Sequence, residues 1–286
     1  MSSGEVRDSA RPKLPMRSLV ILLGLFAAVL AVIAMLFVSN QAVSNPGPPD
    51  DLRIDAWQEA WSRVLNRHVD AGGRIDFAGL ARDHADLDEV VKFVAAVDPI
   101  SAPERFPTRN SRLAYYVDAY NAVAMHGVLA IGVPKKFGWL GRVRFFYFRN
   151  FMLGGRAISL YSLENGIIRP LGDPRVHFAL NCMSVSCPRL PQTAFTVDGL
   201  DSELDAAARE FVRDDRNVHV DRDSRIARLS AIFRFYTDDF LAQSPGLLAY
   251  VNRYRAEEIP PDYKIQFMAY DWTVNDQTRQ SWWRGE

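Results

Sequence analysis

A run of twenty apolar residues near the N-terminus constrains this chain more than any other feature of its sequence. Residues 19–38 read LVILLGLFAAVLAVIAMLFV and contain no charged side chain. At about 1.5 Å per residue, a helix of this length is about 30 Å long, which matches the hydrocarbon core of a bilayer. The sequence therefore predicts a transmembrane helix over residues 18–39.

Basic residues lie mainly before this apolar run, which predicts its orientation. Only Arg53 follows it closely, whereas four basic residues precede it: Arg7, Arg11, Lys13 and Arg17. The excess predicts that the tail, residues 1–17, stays in the cytoplasm, and that the main domain is periplasmic or extracellular. The alternative is a signal peptide cleaved near Ala42. Because the apolar region of a signal peptide normally has about 7 to 15 residues, an uncleaved anchor in the cytoplasmic membrane of a bacterium is favoured.

The rest of the chain divides into a short linker and one folded domain. Residues 40–53 are polar and rich in Pro and Gly, which is typical of a tether, and residues 54–286 are then the exported domain. The chain has 34 basic and 34 acidic residues, so its formal net charge is zero and it has no electrostatic signature of a nucleic-acid-binding protein. Its two cysteines exclude a disulfide-dense scaffold and a four-cysteine metal module.

Hydrophobic periodicity predicts a mixture of helices and hairpins in the domain. Two hairpins are expected, one turning at Gly154-Gly155 after RFFYFRNFML and one around residues 221–224. Alternation predicts strands over residues 175–180 and 264–270. Helices are expected over residues 55–68, 86–97, 111–131, 160–169, 200–213 and 231–242. Without a regular βαβ rhythm, the predicted fold class is α+β, a single compact helix-rich domain with β-hairpins after one transmembrane helix.

The segment from His177 to Pro188, HFALNCMSVSCP, is the richest in side chains that carry chemistry. In one interpretation Cys182 or Cys187 is a nucleophile with His177 or His126 as its base. The candidates for orienting that histidine are Asp118, Asn121, Glu164 and Asp271. In a second interpretation the cysteines form a disulfide, as is common in exported domains. Zinc binding is disfavoured, because the H-x4-C-x4-C spacing does not match the usual ligand pairs.

The helix over residues 111–131 carries a local polar spot. Asp118 and Asn121 are three residues apart, so they are neighbours on one face beside an otherwise apolar stripe. Two interpretations stay open: the pair lies at a cleft, or its side chains are satisfied by a solvated face or a nearby turn.

Four segments in order resemble the DUF547 family, a family of unknown function. They are RLAYYVDAYNAVAMHGVL, LGGRAISLYSLENGIIR, VHFALNCMSVSCP and YDWTVND, and the resemblance extends from about residue 57 to residue 276. The positions that match the family's pattern are Tyr120, Asn121, Glu164, Arg169, Cys182, Ser184, Ser186, Cys187, Pro188, Asp271 and Trp272. Three positions depart from it: Asp118 stands in place of Asn, Asn165 in place of His and Met183 in place of Gly. The resemblance implies a common fold and a shared polar cleft.

The sequence predicts one function and one alternative. The first is a thiol-dependent hydrolase or acyltransferase, with Cys182 as nucleophile, His177 as base, and Asn121 or Glu164 as a positioning group. The expected binding residues are Asp118, Tyr120, Ser184, Ser186, Cys187 and Asp271. The second is a non-enzymatic binding or interaction module with a structural Cys182–Cys187 disulfide. No metal, cofactor or nucleic acid is expected. The predicted partners are the cytoplasmic membrane, through residues 18–39, and an unidentified protein or small molecule.

Overall fold

The computed structural model describes residues 16–38 and 47–279, and its chain forms two compact units divided at Asn40. The N-terminal unit contains helix α1 (Met16–Val38). Within the described residues, no helix is long and apolar enough to cross a membrane, so the predicted transmembrane helix over residues 18–39 is wrong. Residues 1–15, with three of the four basic residues used for orientation, and linker residues 39–46 lie outside the described residues.

The first half of the second unit is helical. It contains α2 (Ile54–His68), α3 (Phe77–Arg82), α4 (Ala85–Ala96) and α5 (Arg109–Ala130). Helix α5 is the centre of the larger hydrophobic core, and most of its side chains are buried. Thr108 caps α5 by accepting a hydrogen bond from the Ser111 backbone N–H.

A helical segment and a hairpin follow α5. Helix α6 (Trp139–Arg142) continues directly into a π-helix, Val143–Phe148, so the first part of the expected strand RFFYFRNFML is helical instead. Strands β1 (Asn150–Leu153) and β2 (Arg156–Ser159) then form the predicted antiparallel hairpin. Its two turn residues, Gly154 and Gly155, have φ angles of 53° and 79°.

The next helical segment changes type along its length. Helix α7 (Leu160–Leu163) is followed by a π-helix, Glu164–Ile168, and a 3-10 turn, Arg169–Leu171. Gly172, at φ 75°, ends it. Local π-helical turns occur often at functional sites, and this one carries Glu164.

The strand predicted over residues 175–180 is wrong. This segment is a 3-10 helix, Pro174–Phe178. The Asp173 carboxylate accepts a hydrogen bond from the Arg175 N–H, and the Val176 carbonyl accepts from the N–H groups of Ala179 and Leu180. These local bonds use the backbone groups that a strand would pair with a neighbour, so the apolar alternation does not determine the structure here.

A smaller core lies under a three-stranded sheet. Strand β3 (Val218–Asp221) pairs antiparallel with β4 (Ile226–Leu229), which confirms the second predicted hairpin, and β4 pairs in parallel with β5 (Lys264–Phe267). The helices of this part are α8 (Leu200–Arg213), α9 (Ala231–Phe235), α10 (Thr237–Leu241) and α11 (Leu247–Asn252). The helix expected over residues 231–242 is therefore two helices that meet at Tyr236. The fold of this unit is a mixture of helix and sheet.

Candidate functional site

The loop that carries both cysteines is held by buried amide side chains and by the C-terminal segment. Asn121 of α5 donates from Nδ2 to the Ala179 carbonyl (3.0 Å) and accepts from the Asn181 N–H (2.7 Å). The Asn181 side chain donates to the Pro188 carbonyl (2.6 Å) and accepts from the Met183 N–H (2.7 Å). Residues 183–185 also pair with residues 273–275. These contacts connect the two most distant sequence motifs and hold the cysteine loop in one shape.

Met183 has a backbone conformation that explains how the two cysteines meet. Its φ is 64°, in the left-handed region that favours glycine, while its side chain is fully buried in the larger core. The turn at Met183 directs two backbone N–H groups at one sulfur: those of Cys182 and Ser184 lie 3.0 and 3.4 Å from Cys187 Sγ. Successive N–H groups that converge in this way stabilise negative charge on their acceptor.

The two thiols are free and share one phenol. The Tyr270 hydroxyl lies 3.2 Å from both Cys182 Sγ and Cys187 Sγ. Burial opposes ionisation of Cys182, but hydrogen bonds from its neighbours outweigh it, and its pKa lies below the usual value. Those neighbours are Cys187, Ser184 and Tyr270. Burial and the hydrogen bond to Cys182 raise the pKa of Cys187 well above its usual value. These opposite shifts widen the pH range over which the pair holds a single proton.

Both sulfurs open into a cleft of about 590 Å³. The cleft has a mainly aromatic wall and only a few charged groups. Its aromatic lining residues are Tyr120, Trp139, Phe146, Tyr147, Tyr161, Phe235, Tyr236, Tyr270 and Trp272. Its charged and titratable lining groups, apart from the tyrosines, are Arg142, Glu164, Arg169, His177, Cys182 and Cys187. A cavity of this size and lining suits a small organic ligand.

Glu164 is a buried carboxylate in this cleft. The Tyr120 hydroxyl donates to Glu164 Oε2 (3.2 Å), and the Tyr236 hydroxyl is a second hydrogen-bond partner. Burial and the neighbouring carboxylate raise the pKa of both tyrosines well above the usual value. Glu164 and its two phenols form a polar group that faces the same cavity as the thiols.

His177 lies at the cleft but is hydrogen-bonded away from the cysteines. Its Nε2 lies 2.7 Å from Asp239 Oδ2, and its ring stacks on Tyr236 with centroids 3.7 Å apart. Arg169 donates twice to the same Asp239 carboxylate, at 2.7 and 2.8 Å. Burial opposes ionisation of Asp239, but the hydrogen bonds from Arg169 and His177 hold its pKa well below the usual value. Among the described residues, no hydrogen bond joins His177 to either thiol.

The structure brings some of the predicted residues together and separates others. Tyr120, Glu164, His177, Cys182 and Cys187 line the cleft, and Ser184 Oγ lies 3.4 Å from Cys182 Sγ. Asn121 does not line the cleft; its side chain is hydrogen-bonded to the backbone of Ala179 and Asn181, next to the cysteine loop.

Two predicted residues lie on the other side of the cysteine loop. Ser186 and Asp271 pair with one another, since the Asp271 N–H donates to Ser186 Oγ (2.8 Å). They line a second cavity of about 1090 Å³, which shares Cys187 and Pro188 with the cleft as a common wall.

Asp118 and His126 have partners elsewhere. Asp118 accepts hydrogen bonds from Trp61 Nε1 (3.0 Å) and from the Phe195 N–H (2.9 Å), deep in the core. Burial raises its pKa well above the usual value. His126 is on the same helix, and its nearest acid is Asp88, at 3.8 Å. Of the two interpretations left open for the polar spot on α5, the structure favours satisfied buried side chains.

Sequence reasoning missed three contributors to the cleft. Tyr236 and Asp239 lie in FRFYTDDF, where no spacing marks them, and Tyr270 lies in a quoted motif without an assigned role. Asn165, which departs from the family pattern, accepts from Arg169 Nη1 (2.5 Å) and donates to the Tyr161 carbonyl (2.9 Å). No group of three or more His, Cys, Asp or Glu side chains in the described part of the chain is arranged to hold a metal ion.

Comparison with known proteins gives one match. No curated protein and no solved structure matches the chain. One protein-family model matches residues 104–212, a region that contains α5, Glu164 and both cysteines. Tyr236, Asp239 and Tyr270 lie beyond it. Residues 104–212 match the family model described as "Protein of unknown function, DUF547", and this match supports membership of the DUF547 family.

Proposed function

We propose that the cleft is the active site of a thiol-dependent hydrolase or acyltransferase in which Cys182 is the nucleophile. The observation that carries the proposal is the environment of its sulfur, which faces a ligand-sized cleft and is within hydrogen-bonding distance of Tyr270 and Ser184. A lowered thiol pKa increases the fraction of thiolate, which is the reactive form.

This environment supports thiol chemistry without an imidazole beside the sulfur. Hydrogen bonds stabilise the thiolate before substrate binds, which lowers the cost of ionising Cys182 without a separate base. We assign His177 a positioning role: together with Asp239 it fixes the ring of Tyr236, whose hydroxyl meets Glu164.

In this proposal Cys187 donates a proton to the leaving group and takes one back when the thioester is hydrolysed. In the first half, the Cys182 thiolate attacks the substrate carbonyl carbon, and the tetrahedral oxyanion accepts a hydrogen bond from the Tyr270 hydroxyl. The intermediate collapses to an acyl-thioester, and the leaving group departs with the proton of the Cys187 thiol. The new Cys187 thiolate is stabilised by the N–H groups of Cys182 and Ser184. In the second half, water or another acceptor attacks the thioester and gives its proton back to Cys187, and the Cys182 thiolate leaves.

The rival function is a binding module in which the two cysteines are a disulfide. It is favoured by one specific observation: both sulfurs lie at hydrogen-bonding distance from the same phenol, and the two thiols are hydrogen-bonded to one another. Such a pair needs little movement to form an S–S bond. The intact mass of the protein, exported to an oxidising compartment and alkylated without reduction, distinguishes the two. An unalkylated protein whose mass is two hydrogens below that of the reduced chain supports the disulfide, and alkylation of both thiols supports the enzyme.

The test of the enzyme uses esters with good and poor leaving groups. Cys182→Ala should abolish turnover of both p-nitrophenyl and alkyl esters while the melting temperature stays nearly unchanged. Cys187→Ala, assayed at a pH where Cys182 is fully ionised, should retain p-nitrophenyl ester turnover. It should lose about 100-fold or more on alkyl esters, because only their leaving group needs a proton. Turnover that survives in folded Cys182→Ala protein would refute the nucleophile, and equal losses on both esters in Cys187→Ala would refute its role as acid.

A further inference from the structure

One cation in the cleft has no acidic partner. Arg142, the last residue of α6, lines the cavity, and among the described residues no carboxylate pairs with it. The other arginine of the cleft, Arg169, is bound by Asp239 on two sides. The Nε atom of Arg142 is buried and has no hydrogen-bond partner in the described part of the chain. A buried donor without an acceptor is costly, and the rest of the Arg142 side chain is half-buried at the cavity, so an anionic ligand oxygen beside this guanidinium would be stabilised.

Arg142 is connected to the thiols along one wall of the cleft. Its guanidinium lies 4.7 Å from the ring centroid of Trp272, and Trp272 packs on Tyr270 at 4.4 Å. The Tyr270 hydroxyl in turn contacts both sulfurs. The stacking on Trp272 holds the guanidinium in place before a ligand arrives, which reduces the entropy lost on binding.

Large aromatic side chains are exposed around the same cleft. Trp139 is 68% exposed, and Tyr147 and Tyr161 are 52% and 45% exposed while they stack on each other at 4.3 Å. Exposed apolar groups gathered around a cavity mark a ligand-binding surface. We call Trp139, Tyr147 and Tyr161 the aromatic rim.

We propose that Arg142 and the aromatic rim form a subsite for a substrate that carries a carboxylate on an apolar or aromatic body. This inference rests on the proposed function, because it names the substrate class of the same site. A single guanidinium matches the charge and planar geometry of a carboxylate, whereas a phosphate dianion is normally held by several donors. The carboxylate binds Arg142, the body of the substrate lies against the rim, and its reacting carbonyl reaches Cys182.

The experiment compares alkylation of Cys182 by iodoacetate and by iodoacetamide. The two probes share size and leaving group and differ in one carboxylate. Rates for the reduced full-length protein are measured by peptide mass spectrometry, and the ratio of the two rates cancels any change in the thiolate fraction. Glutathione gives the reference ratio. The attraction between the guanidinium and the iodoacetate carboxylate should raise the iodoacetate/iodoacetamide ratio about threefold over glutathione, as expected for a unit charge acting across a cleft at an effective dielectric between those of protein and water.

Variants of Arg142 assign the effect to its charge. Arg142→Gln should return the ratio to the glutathione value, and Arg142→Lys should keep it raised. Arg144→Gln, which changes an exposed arginine two residues away that does not line the cleft, should leave the ratio unchanged. Should Arg142→Gln not fold, the salt dependence of the unmodified protein replaces it, since the raised ratio should fall as salt increases.

The outcomes separate the two proposals. Rapid reaction with both probes at the glutathione ratio, unchanged in Arg142→Gln or by salt, would overturn the carboxylate subsite and leave the nucleophile standing. A reduced Cys182 that reacts with neither probe would overturn the nucleophile, and with it the subsite.

Discussion

Replacing Tyr270 by Phe tests the central electrostatic claim, that hydrogen bonds stabilise the Cys182 thiolate. The change removes one hydroxyl that lies 3.2 Å from each sulfur. It keeps the ring, which packs on Trp272 and Phe235. The loop around the cysteines should therefore keep its shape, because its bonds to Asn121 and to residues 273–275 do not involve the hydroxyl.

The size of the effect follows from the strength of a hydrogen bond to a charged acceptor. Such bonds contribute about 1.5 to 3 kcal/mol, and sulfur is a weaker acceptor than oxygen, so the lower end of this range applies. Since one pKa unit corresponds to about 1.4 kcal/mol, Tyr270→Phe should raise the pKa of Cys182 by about one unit. At a pH below both values, the thiolate fraction and the alkylation rate should fall about tenfold.

The assay is the pH dependence of iodoacetamide alkylation at Cys182. The matched control is Tyr115→Phe, because Tyr115 is also buried and hydrogen-bonded, to the Val97 carbonyl (2.5 Å), but does not line the cleft. The control should lower stability by about 1 kcal/mol and leave the alkylation profile of Cys182 unchanged. A Tyr270→Phe profile that coincides with that of the unmodified protein would refute the claim that this phenol stabilises the thiolate.

Two further predictions concern the groups that support the cleft. Asn121→Ala should lower the free energy of unfolding in urea by about 2 to 4 kcal/mol, because it leaves the Asn181 N–H and the Ala179 carbonyl buried without partners. The control is Asn110→Ala on the same helix; its side chain makes one hydrogen bond of 3.4 Å, so its loss should cost less than about 1 kcal/mol. Equal costs for the two variants would contradict this account. Asp239→Asn should lower stability at neutral pH and flatten its acid dependence. The lowered pKa of Asp239 gives a contribution that is present above about pH 4, the unfolded value, and is lost as the pH falls through the folded value. Calorimetric melting temperatures between about pH 2 and pH 7 check this, with the neighbouring exposed Asp238→Asn as control, and parallel curves for Asp239→Asn and the unmodified protein would contradict it.

The elements that depend on local signals were predictable from the sequence. Helices α5 and α8 lie within two residues of their predicted bounds, because each has a sustained apolar period. The hairpin at Gly154-Gly155 was predictable because both residues take positive φ angles that few other residues tolerate.

The parts that depend on a single side chain or on distant partners were not predictable. Residues 175–180 alternate like a strand, but the cap by Asp173 makes them a 3-10 helix. His177 precedes Cys182 by five residues and was expected to serve it, yet its partner is Asp239, 62 residues away. The short separation in sequence correctly predicted that the cysteines and the histidine line one cleft. The direction of the imidazole depends instead on Asp239 of α10, which belongs to no recognisable motif.

The two departures from the family pattern near the cleft have different consequences. Met183 adopts the left-handed conformation that a glycine would adopt more easily, so the turn that directs two N–H groups at Cys187 persists, and the methionine side chain fills the core. Asn165 lines the cleft, where it binds Arg169 and the Tyr161 carbonyl, and its amide cannot exchange a proton at neutral pH. With His177 bound to Asp239, the ionisable side chains that contact Cys182 Sγ in the described part of the chain are the second thiol and Tyr270, beside the hydroxyl of Ser184. In the proposed reaction the proton for the leaving group therefore comes from Cys187, which is why Cys187→Ala should reduce turnover of esters with poor leaving groups most.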